Sequence, residues 1–483
     1  MPVKAVLRAG LVFAALILLY TAGLAVRGIA GQGGGLSLDA FAALTLALLL
    51  AWAVSAVLHE RPALFAGALA AAAFLACLTM ALWADAWPSS DFEVMYSLAL
   101  SLKNGDAARV WGSDYILRSP YQSLFVIYQS LIVSPVLGDF TALLIAGAVW
   151  MAGIAVLIYL IARQAYSGRT AGFLAMLYLL YPAPYFLAPV LTNQHISLFF
   201  LLLGLWVFLR TQDIKGGVIA GVLLALGNAF RPDGAVLILA LLLLAPVVWL
   251  LHQKRPFWAS VRRALPPLSA FAVSLLAGAF LSLLVTLSGV SGQGLRNTDP
   301  LWRLVVGLNA ESGGTYSAAI RDEVSAAQDA EALRKLELEI IRRHLSADAG
   351  TMLEFLRGKN LYFWGSYEYT DWAFSQADGR AFPVTGQPVP EALETLKQTE
   401  RLMFLAISLL GLLSCALLLP RGRRAGVLPV LCGLVFVLFF GVHLVSEVQT
   451  RYRYFVMPFL FLLAGTGVDW LLERKKPAGM TRA

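Results

Sequence analysis

The chain has 483 residues, of which 59% are hydrophobic and only 14% are charged. Its mean hydropathy of +0.73 excludes an ordinary soluble globular protein and indicates a polytopic membrane protein. The net charge of +8 does not indicate a nucleic-acid-binding protein, because the basic residues lie beside apolar segments.

Apolar segments predict an all-α polytopic membrane protein with about 12 transmembrane helices, because most of them approach the roughly 20 residues needed to cross the hydrocarbon core. In chain order the predicted spans are 6–24, 40–58, 62–82, 140–161, 170–187, 196–209, 216–230, 235–251, 268–287, 403–419, 427–444 and 454–472. The first segment follows Lys4 and Arg8, as in a signal peptide, but its length and the spans that follow predict an uncleaved helix.

The distribution of basic residues predicts the orientation. With a cytoplasmic N-terminus, the Lys- and Arg-rich connectors and the basic tail fall on the inner side, as in proteins of the bacterial plasma membrane. The segment 121–137 is apolar enough to span, but counting it would move the later basic connectors outside. We therefore expect an interfacial or re-entrant helix there, although the sequence alone leaves a span open.

This topology divides the chain into three regions. Residues 1–290 form a transmembrane region that includes a first outer loop, residues 85–139. Residues 291–401 form an extracytoplasmic loop domain, in which apolar side chains at helical spacing predict a helix over 330–344. Residues 402–483 form the C-terminal transmembrane helices and a cytoplasmic tail.

Two acids, Asp91 and Glu93, lie just past the end of the third predicted span, and acids so close to the membrane are rarely kept without a role. A membrane enzyme could place a general base there. The alternative is helix capping, because Ser90 and Glu93 have the spacing of a capping box and Asp91 would then occupy the first turn.

Arginines in short outer connectors oppose the charge bias of the rest of the chain. Arg231 lies in a turn between two spans, and Arg451, Tyr452 and Arg453 precede the last span. A turn requires no arginine, whereas a guanidinium fork suits a phosphate or carboxylate. The alternative is a structural ion pair, for which Glu447 is a candidate partner.

Other features carry less information. Aromatic residues around Trp364 are typical of an interface anchor, and they could also stack on a sugar. The three cysteines lie inside apolar spans, and no His or Cys spacing predicts a metal site or a cofactor.

Taken together, these residues resemble the GT-C superfamily of integral-membrane glycosyltransferases, in particular bacterial members similar to the protein mannosyltransferase and lipid A aminoarabinose transferase group. The resemblance rests on short motifs in the expected order over nearly the whole chain: Asp91-Phe92-Glu93 with Tyr96 and Gly105, Ser119-Pro120-Tyr121-Gln122, Arg231-Pro232, Gly307-Leu308-Asn309 with Gly313 and Gly314, and Glu447 with Arg451-Tyr452.

The resemblance implies a hexosyl or pentosyl donor linked to polyprenyl phosphate, an inverting transfer on the outer face, and a lipid, glycan or protein acceptor. It implies Asp91 as general base and outer arginines as ligands of the donor phosphate. The predicted site therefore comprises catalytic Asp91 and Glu93; donor-phosphate-binding Arg231, Arg451, Arg453 and Tyr452; and acceptor- or sugar-binding Tyr96, Tyr121, Gln122, Asn309, Glu447 and Trp364.

Two other classes compete with this interpretation. A polysaccharide polymerase or ligase would use lipid-linked glycans on the same face and would need the same arginines. A lipid or sugar transporter would need ionisable residues along a path through the membrane, whereas here the charged residues collect at the outer ends of the spans.

Overall fold

A computed structural model describes residues 2–31, 36–133, 140–252, 257–367, 370–377, 379–383, 385–420 and 426–473. The predicted all-α polytopic class is confirmed: 79% of the structure is helical and no strand occurs in the described residues. The predicted tail after residue 473 and the basic connector 421–425 lie outside the described residues.

The α-helices of the first half are α1 (Pro2–Gly31), α2 (Leu38–Leu58), α3 (Pro62–Ala84), α4 (Asp91–Lys103), α5 (Ala107–Trp111), α6 (Asp114–Arg118), α7 (Ser123–Ile132), α8 (Thr141–Ala162), α9 (Gly168–Leu179), α10 (Ala183–Phe186), α11 (Gln194–Thr211) and α12 (Ile214–Phe230). Those of the second half are α13 (Gly234–His252), α14 (Phe257–Leu287), α15 (Trp302–Gly307), α16 (Ala318–Ser325), α17 (Ala330–Leu345), α18 (Ala349–Asn360), α19 (Val389–Leu418), α20 (Val427–Val445), α21 (Met457–Leu463) and α22 (Gly465–Glu473). Short 3₁₀ segments occupy Pro120–Gln122, Asp371–Ala377 and Thr450–Phe455, and a π-helical turn occupies Leu361–Gly365.

Eight helices of the described chain are long and apolar enough to cross a membrane: α1, α2, α3, α8, α11, α14, α19 and α20. Each coincides with a predicted span. The shorter apolar helix α12 and the apolar part of α13, Gly234–Val247, match two more. The predicted spans 170–187 and 454–472 are instead interrupted, the first by Pro182 and Pro184, since proline ends or kinks a helix. The second is divided between α21 and α22 at Ala464.

The described part of the segment 121–137, which the sequence left open, contains the end of the 3₁₀ segment Pro120–Gln122 and a single α-helix, the ten-residue α7. At 1.5 Å per residue it is about 15 Å long, which is too short to cross the hydrocarbon core. It packs with α4 and α5 around a core that includes Phe92, Val110 and Phe125. The first outer loop is therefore a small helical layer at one end of the bundle.

The second outer loop also folds as helices. The predicted helix 330–344 is present as α17, and its Ile340 is fully buried against Val305, Ile320 and Val324. The loop returns to the bundle at the end of α3, where the Arg380 guanidinium donates to the Trp83 carbonyl at 2.9 Å. The two outer loops thus share one end of the bundle.

A buried charged network lies where this loop meets the bundle. Glu400 and Arg401, at the outer part of α19, form an ion pair, and both side chains are at most 1% exposed. The Tyr181 hydroxyl donates to Glu400, and Arg401 and Arg453 donate to the Trp364 carbonyl at 2.9 and 3.3 Å. A buried charge is tolerated only with partners of this kind.

We predict that Arg401→Met strongly lowers the thermal stability of the protein. The substitution leaves the Glu400 carboxylate buried without its cation, which costs about 3–5 kcal/mol in comparable pairs. The measurement is unfolding in detergent followed by tryptophan fluorescence, with Arg380→Met as control because its ion pair with Asp85 is exposed. The double variant Glu400→Gln/Arg401→Met should recover part of the loss. Equal melting temperatures for Arg401→Met and the wild type would contradict the prediction.

Candidate functional site

A cavity of about 740 Å³ lies between the two outer loops. Contacts between the loops hold its walls: Arg118 donates to the Ser325 hydroxyl at 3.4 Å, and the Thr298 hydroxyl donates to the Arg118 carbonyl at 3.3 Å. Its polar and aromatic lining includes Asp91, Asp114, Tyr115, Arg118, Tyr121, Asp299, Trp302, Arg303, Tyr316, Arg321, Asp322 and Asp329. The lining suits a polar ligand of the size of a sugar.

Asp91 is the first residue of α4 and is exposed to this cavity. The predicted capping box does not form, because Ser90 adopts a left-handed φ of 56° and its side chain makes no capping hydrogen bond. Loss of surrounding water raises the pKa of Asp91, the positive charge of Arg451 opposes this, and the negative charge of Glu447 adds to it. The carboxylate is therefore more basic than an ordinary aspartate.

Arg451 lies beside Asp91 although the two residues are 360 positions apart. Its guanidinium stacks on the Phe92 ring, with 5.2 Å between the guanidinium carbon and the ring centroid. Its backbone carbonyl accepts from Gln194 at 3.0 Å, and its buried Nε has no hydrogen-bond partner among the described residues. Arg451 thus combines a fixed backbone with a donor that remains available.

Arg231 follows the last residue of α12 and forms an ion pair with Asp233. Its Nη1 lies 3.4 Å from the Asn193 amide oxygen, and its guanidinium carbon lies 5.1 Å from the Tyr452 ring centroid. The predicted structural partner, Glu447, is therefore not the one that Arg231 uses. Since Arg231 and Arg451 both act electrostatically on Tyr452, they belong to one cluster.

Arg303 is a third cation of this cluster and was not predicted from the sequence. It lines the cavity together with Asp91. Burial lowers the pKa of Arg303, but Tyr452, Tyr121, Asp233 and Glu447 raise it above its ordinary value, so the guanidinium stays charged. Among the described residues, none forms a hydrogen bond or ion pair with its side chain. A charged group without a direct partner is a natural ligand for an anion.

Polar residues connect the arginines to the cavity wall. Tyr115 hydrogen-bonds Gln122, which accepts from the Asn193 amide at 3.0 Å, and Asn193 also donates to the Phe230 carbonyl at 2.8 Å. Burial raises the pKa of Tyr115, and the charge of Asp91 raises it further. Tyr115 and Asn193 were missed from the sequence, whereas Gln122 and Tyr121 were predicted and lie here.

Glu447 also lies in the cluster, on the segment between α20 and Arg451. Its carboxylate accepts from Gln449 at 2.9 Å, and its backbone N–H donates to the Arg303 carbonyl at 2.8 Å. Because Glu447 affects the pKa values of Asp91, Arg303 and Tyr452, it stands among the charged groups of the site. The cluster therefore has three arginines, 231, 303 and 451, and three acids, Asp91, Asp233 and Glu447.

Five residues that were predicted to belong to the site lie outside the charged cluster: Glu93, Tyr96, Asn309, Trp364 and Arg453. Glu93 is exposed on α4 and does not line the cavity. Tyr96 is buried against Trp87 and Phe140. The Asn309 side chain accepts from the Glu311 backbone N–H at 3.1 Å, as in an Asx turn.

Trp364 and Arg453 are fully buried within the bundle. Trp364 packs on four phenylalanines, 404, 436, 439 and 440, so its ring is not available to a sugar. Arg453 donates to the carbonyls of Thr450 and Trp364. The geometry therefore places both residues in the support of the site and not on its surface.

Within the described ranges, no group of three or more His, Cys, Asp or Glu side chains is arranged to hold a metal ion. The arrangement offers a basic carboxylate, Asp91, and a charged guanidinium, Arg303, on the wall of one cavity, with Arg231 and Arg451 in the charged cluster beside it.

Comparison with known families supports the class of protein that the sequence resembles. Residues 128–283 match the family described as dolichyl-phosphate-mannose-protein mannosyltransferase, which belongs to the GT-C superfamily of membrane glycosyltransferases. The matched range contains Asn193 and Arg231, begins after Asp91 and ends before Arg303. No curated protein matches the chain. The predicted resemblance to GT-C glycosyltransferases is confirmed.

Proposed function

We propose that the chain is an integral-membrane glycosyltransferase of the GT-C type that moves a hexosyl or pentosyl group from a polyprenyl-phosphate donor to an acceptor hydroxyl on the outer face of the membrane. One observation carries the proposal: Asp91 and Arg303 line the same cavity, and Arg451 lies beside Asp91. A base and a cation on the wall of one cavity, with further cations close by, are what such a transfer requires.

Arg231, Arg303 and Arg451 bind the donor phosphate in this proposal. Guanidinium groups match phosphate oxygens in geometry and stay charged when half-buried. The cluster lies near the outer ends of α11 and α12, so a lipid phosphate at the membrane surface reaches it without leaving the bilayer. Tyr452, whose ring lies under the Arg231 guanidinium, adds a hydroxyl donor.

Asp91 acts as the general base. Its carboxylate accepts the proton of the acceptor hydroxyl as the acceptor oxygen bonds to the anomeric carbon of the sugar. The bond between that carbon and the phosphate oxygen breaks at the same time, and the arginines stabilise the departing polyprenyl phosphate. A single displacement of this kind inverts the anomeric centre. The raised pKa of Asp91 favours proton acceptance.

The acceptor enters from the far side of the cavity, between α16, α17 and the first outer loop. This wall carries exposed hydrogen-bonding side chains, among them Arg321 and Asp322. The donor then approaches from the membrane and the acceptor from the aqueous side, with Asp91 between them. Of the residues predicted to bind the acceptor or the sugar, Tyr121 and Gln122 lie closest to this route of acceptor entry.

We predict that Asp91→Asn abolishes sugar transfer while the protein still folds and binds donor. The amide keeps the shape of the carboxylate but does not accept the proton. The measurement is transfer of radiolabel from a polyprenyl-phosphate monosaccharide by purified protein, and Glu93→Gln is the matched control because Glu93 faces away from the cavity. Wild-type activity should fall as the pH drops through the pKa of Asp91.

Activity of Asp91→Asn within a few-fold of the wild type would remove Asp91 from the mechanism. Loss of activity in Glu93→Gln alone would move the base to Glu93. Transfer by the wild type of preassembled glycans only would favour the polymerase or ligase reaction.

We predict that alanine at Arg231, Arg303 or Arg451 weakens donor binding by about 1.5–3 kcal/mol, the range for a hydrogen bond to a charged group. Lysine should restore binding poorly if two nitrogens contact the phosphate. The measurement is the affinity for polyprenyl phosphate together with the melting temperature, and Arg321→Ala on the far wall is the control. Unchanged affinity in all three variants, with lowered stability, would make the cluster structural.

Orientation gives a separate test. We propose that the protein lies in a bacterial plasma membrane with both termini in the cytoplasm. Single cysteines introduced at the exposed positions Arg321 and Lys335 should react with a membrane-impermeant maleimide in intact cells. The native cysteines 77, 415 and 432 are buried and supply the background. Labelling only after the cells are opened would reverse the topology.

A further inference from the structure

Lys359, near the end of α18, is a buried lysine that the proposed reaction does not use. Its side chain is 1% exposed. Its ammonium group donates to the carbonyls of Gly307, Ser446 and Leu444 at 2.5, 2.8 and 3.2 Å. A lysine ammonium has three N–H groups, so these three carbonyls account for all of its donors.

The three carbonyls belong to two segments that both carry site residues. Gly307 ends α15, the short helix that carries Arg303. Leu444 and Ser446 surround the end of α20 and lead directly to Glu447. Lys359 therefore joins the backbone that carries Arg303 to the backbone that leads to Glu447 and Arg451.

Backbone hydrogen bonds reinforce the same junction. The N–H of Glu447 donates to the Arg303 carbonyl at 2.8 Å, and the N–H of Val448 donates to the Gly314 carbonyl at 2.9 Å. Glycine permits this close approach: a Cβ at Gly307 would lie 2.2 Å from the Ser446 carbonyl carbon, and one at Gly314 would lie 2.8 Å from the Lys359 side chain. Close packing thus explains the glycines at positions 307 and 314.

Burial of a charged ammonium group at this position costs free energy of hydration. Burial lowers the pKa of Lys359 to about 8, and the nearby negative charge of Glu447 opposes that effect. An apolar side chain would fill the same volume without the loss of hydration, but it would leave three carbonyls in contact with nothing polar. The lysine therefore does more than fill space.

We propose that Lys359 is a positioning residue that holds Arg303 at a fixed distance from Glu447 and Arg451, so that the arginines act together on the donor phosphate. This inference rests on the proposed function, because the distance matters only if the cluster binds an anion. Lys359 itself touches neither donor nor acceptor. Its effect on donor binding is indirect, because it sets the relative position of the two segments that it joins.

The experiment compares Lys359→Met with Lys335→Met, an exposed lysine of the same outer loop. Hydrogen–deuterium exchange should increase in residues 303–314 and 444–451 of Lys359→Met and stay unchanged in Lys335→Met. The KM for polyprenyl-phosphate sugar should rise about tenfold with a smaller change in kcat. Unchanged exchange in both segments, or a loss confined to kcat, would overturn the proposal.

A second variant and a wild-type measurement cover a failure of Lys359→Met to fold. Gly314→Ala keeps Lys359, but the added Cβ displaces the Lys359 side chain. Gly314 also has a left-handed φ of +77°, which alanine adopts poorly. It should raise exchange in the same two segments. In the wild type, rising denaturant should open both segments at one concentration; separate openings would overturn the proposal.

The outcomes separate this inference from the proposed function. If the wild type transfers no sugar from polyprenyl phosphate, the proposed function fails, and coupled exchange of the two segments then shows only a structural tie, which overturns the positioning role. If the wild type transfers sugar and Lys359→Met keeps its donor KM, the positioning role alone fails.

Discussion

The site depends on a balance of charge that no single segment could provide. The Arg231 guanidinium lies over the Tyr452 ring, and Arg303 and Arg451 also act electrostatically on Tyr452. Three acids, Asp91, Asp233 and Glu447, belong to the same charged cluster. Cations placed together in a half-buried region repel one another unless acids lie between them. The acids therefore make the arrangement stable before any ligand binds.

The same balance explains why the three arginines are not equivalent. Arg231 has a direct ion pair with Asp233, Arg451 packs on Phe92 beside Asp91, and Arg303 has no direct partner in the described part of the chain. In the proposed function, the donor phosphate therefore gains most from Arg303 and Arg451, whereas Arg231 shares its charge with Asp233.

The sequence predicted the parts of this site that break a rule. Arg231 and Arg451 stand out because outer connectors rarely carry arginine, and Asp91 stands out because it lies just past the end of an apolar span. Arg303 breaks no rule, since a polar loop of more than a hundred residues contains many arginines. Tyr115 and Asn193 are likewise ordinary in sequence, and only the folded chain brings them to Gln122.

Two residues that were predicted to lie at the site, Arg453 and Trp364, are buried elsewhere in the structure. Arg451 and Arg453 are two positions apart in a 3₁₀ segment; the first reaches Asp91, and the second points into the bundle toward the Trp364 carbonyl. Charge bias alone does not distinguish them, because both are arginines in one short connector. Trp364 was attributed to an interface or a sugar, yet its carbonyl accepts from Arg401 and Arg453 while its ring fills the core. The buried ion pair and the aromatic packing beneath it fix the segment from Thr450 to Phe455, and this segment holds Arg451 against Phe92, beside Asp91. The residues that support the site thus include charged side chains, as the site itself does. A sequence pattern therefore does not distinguish a buried supporting arginine from one at the site.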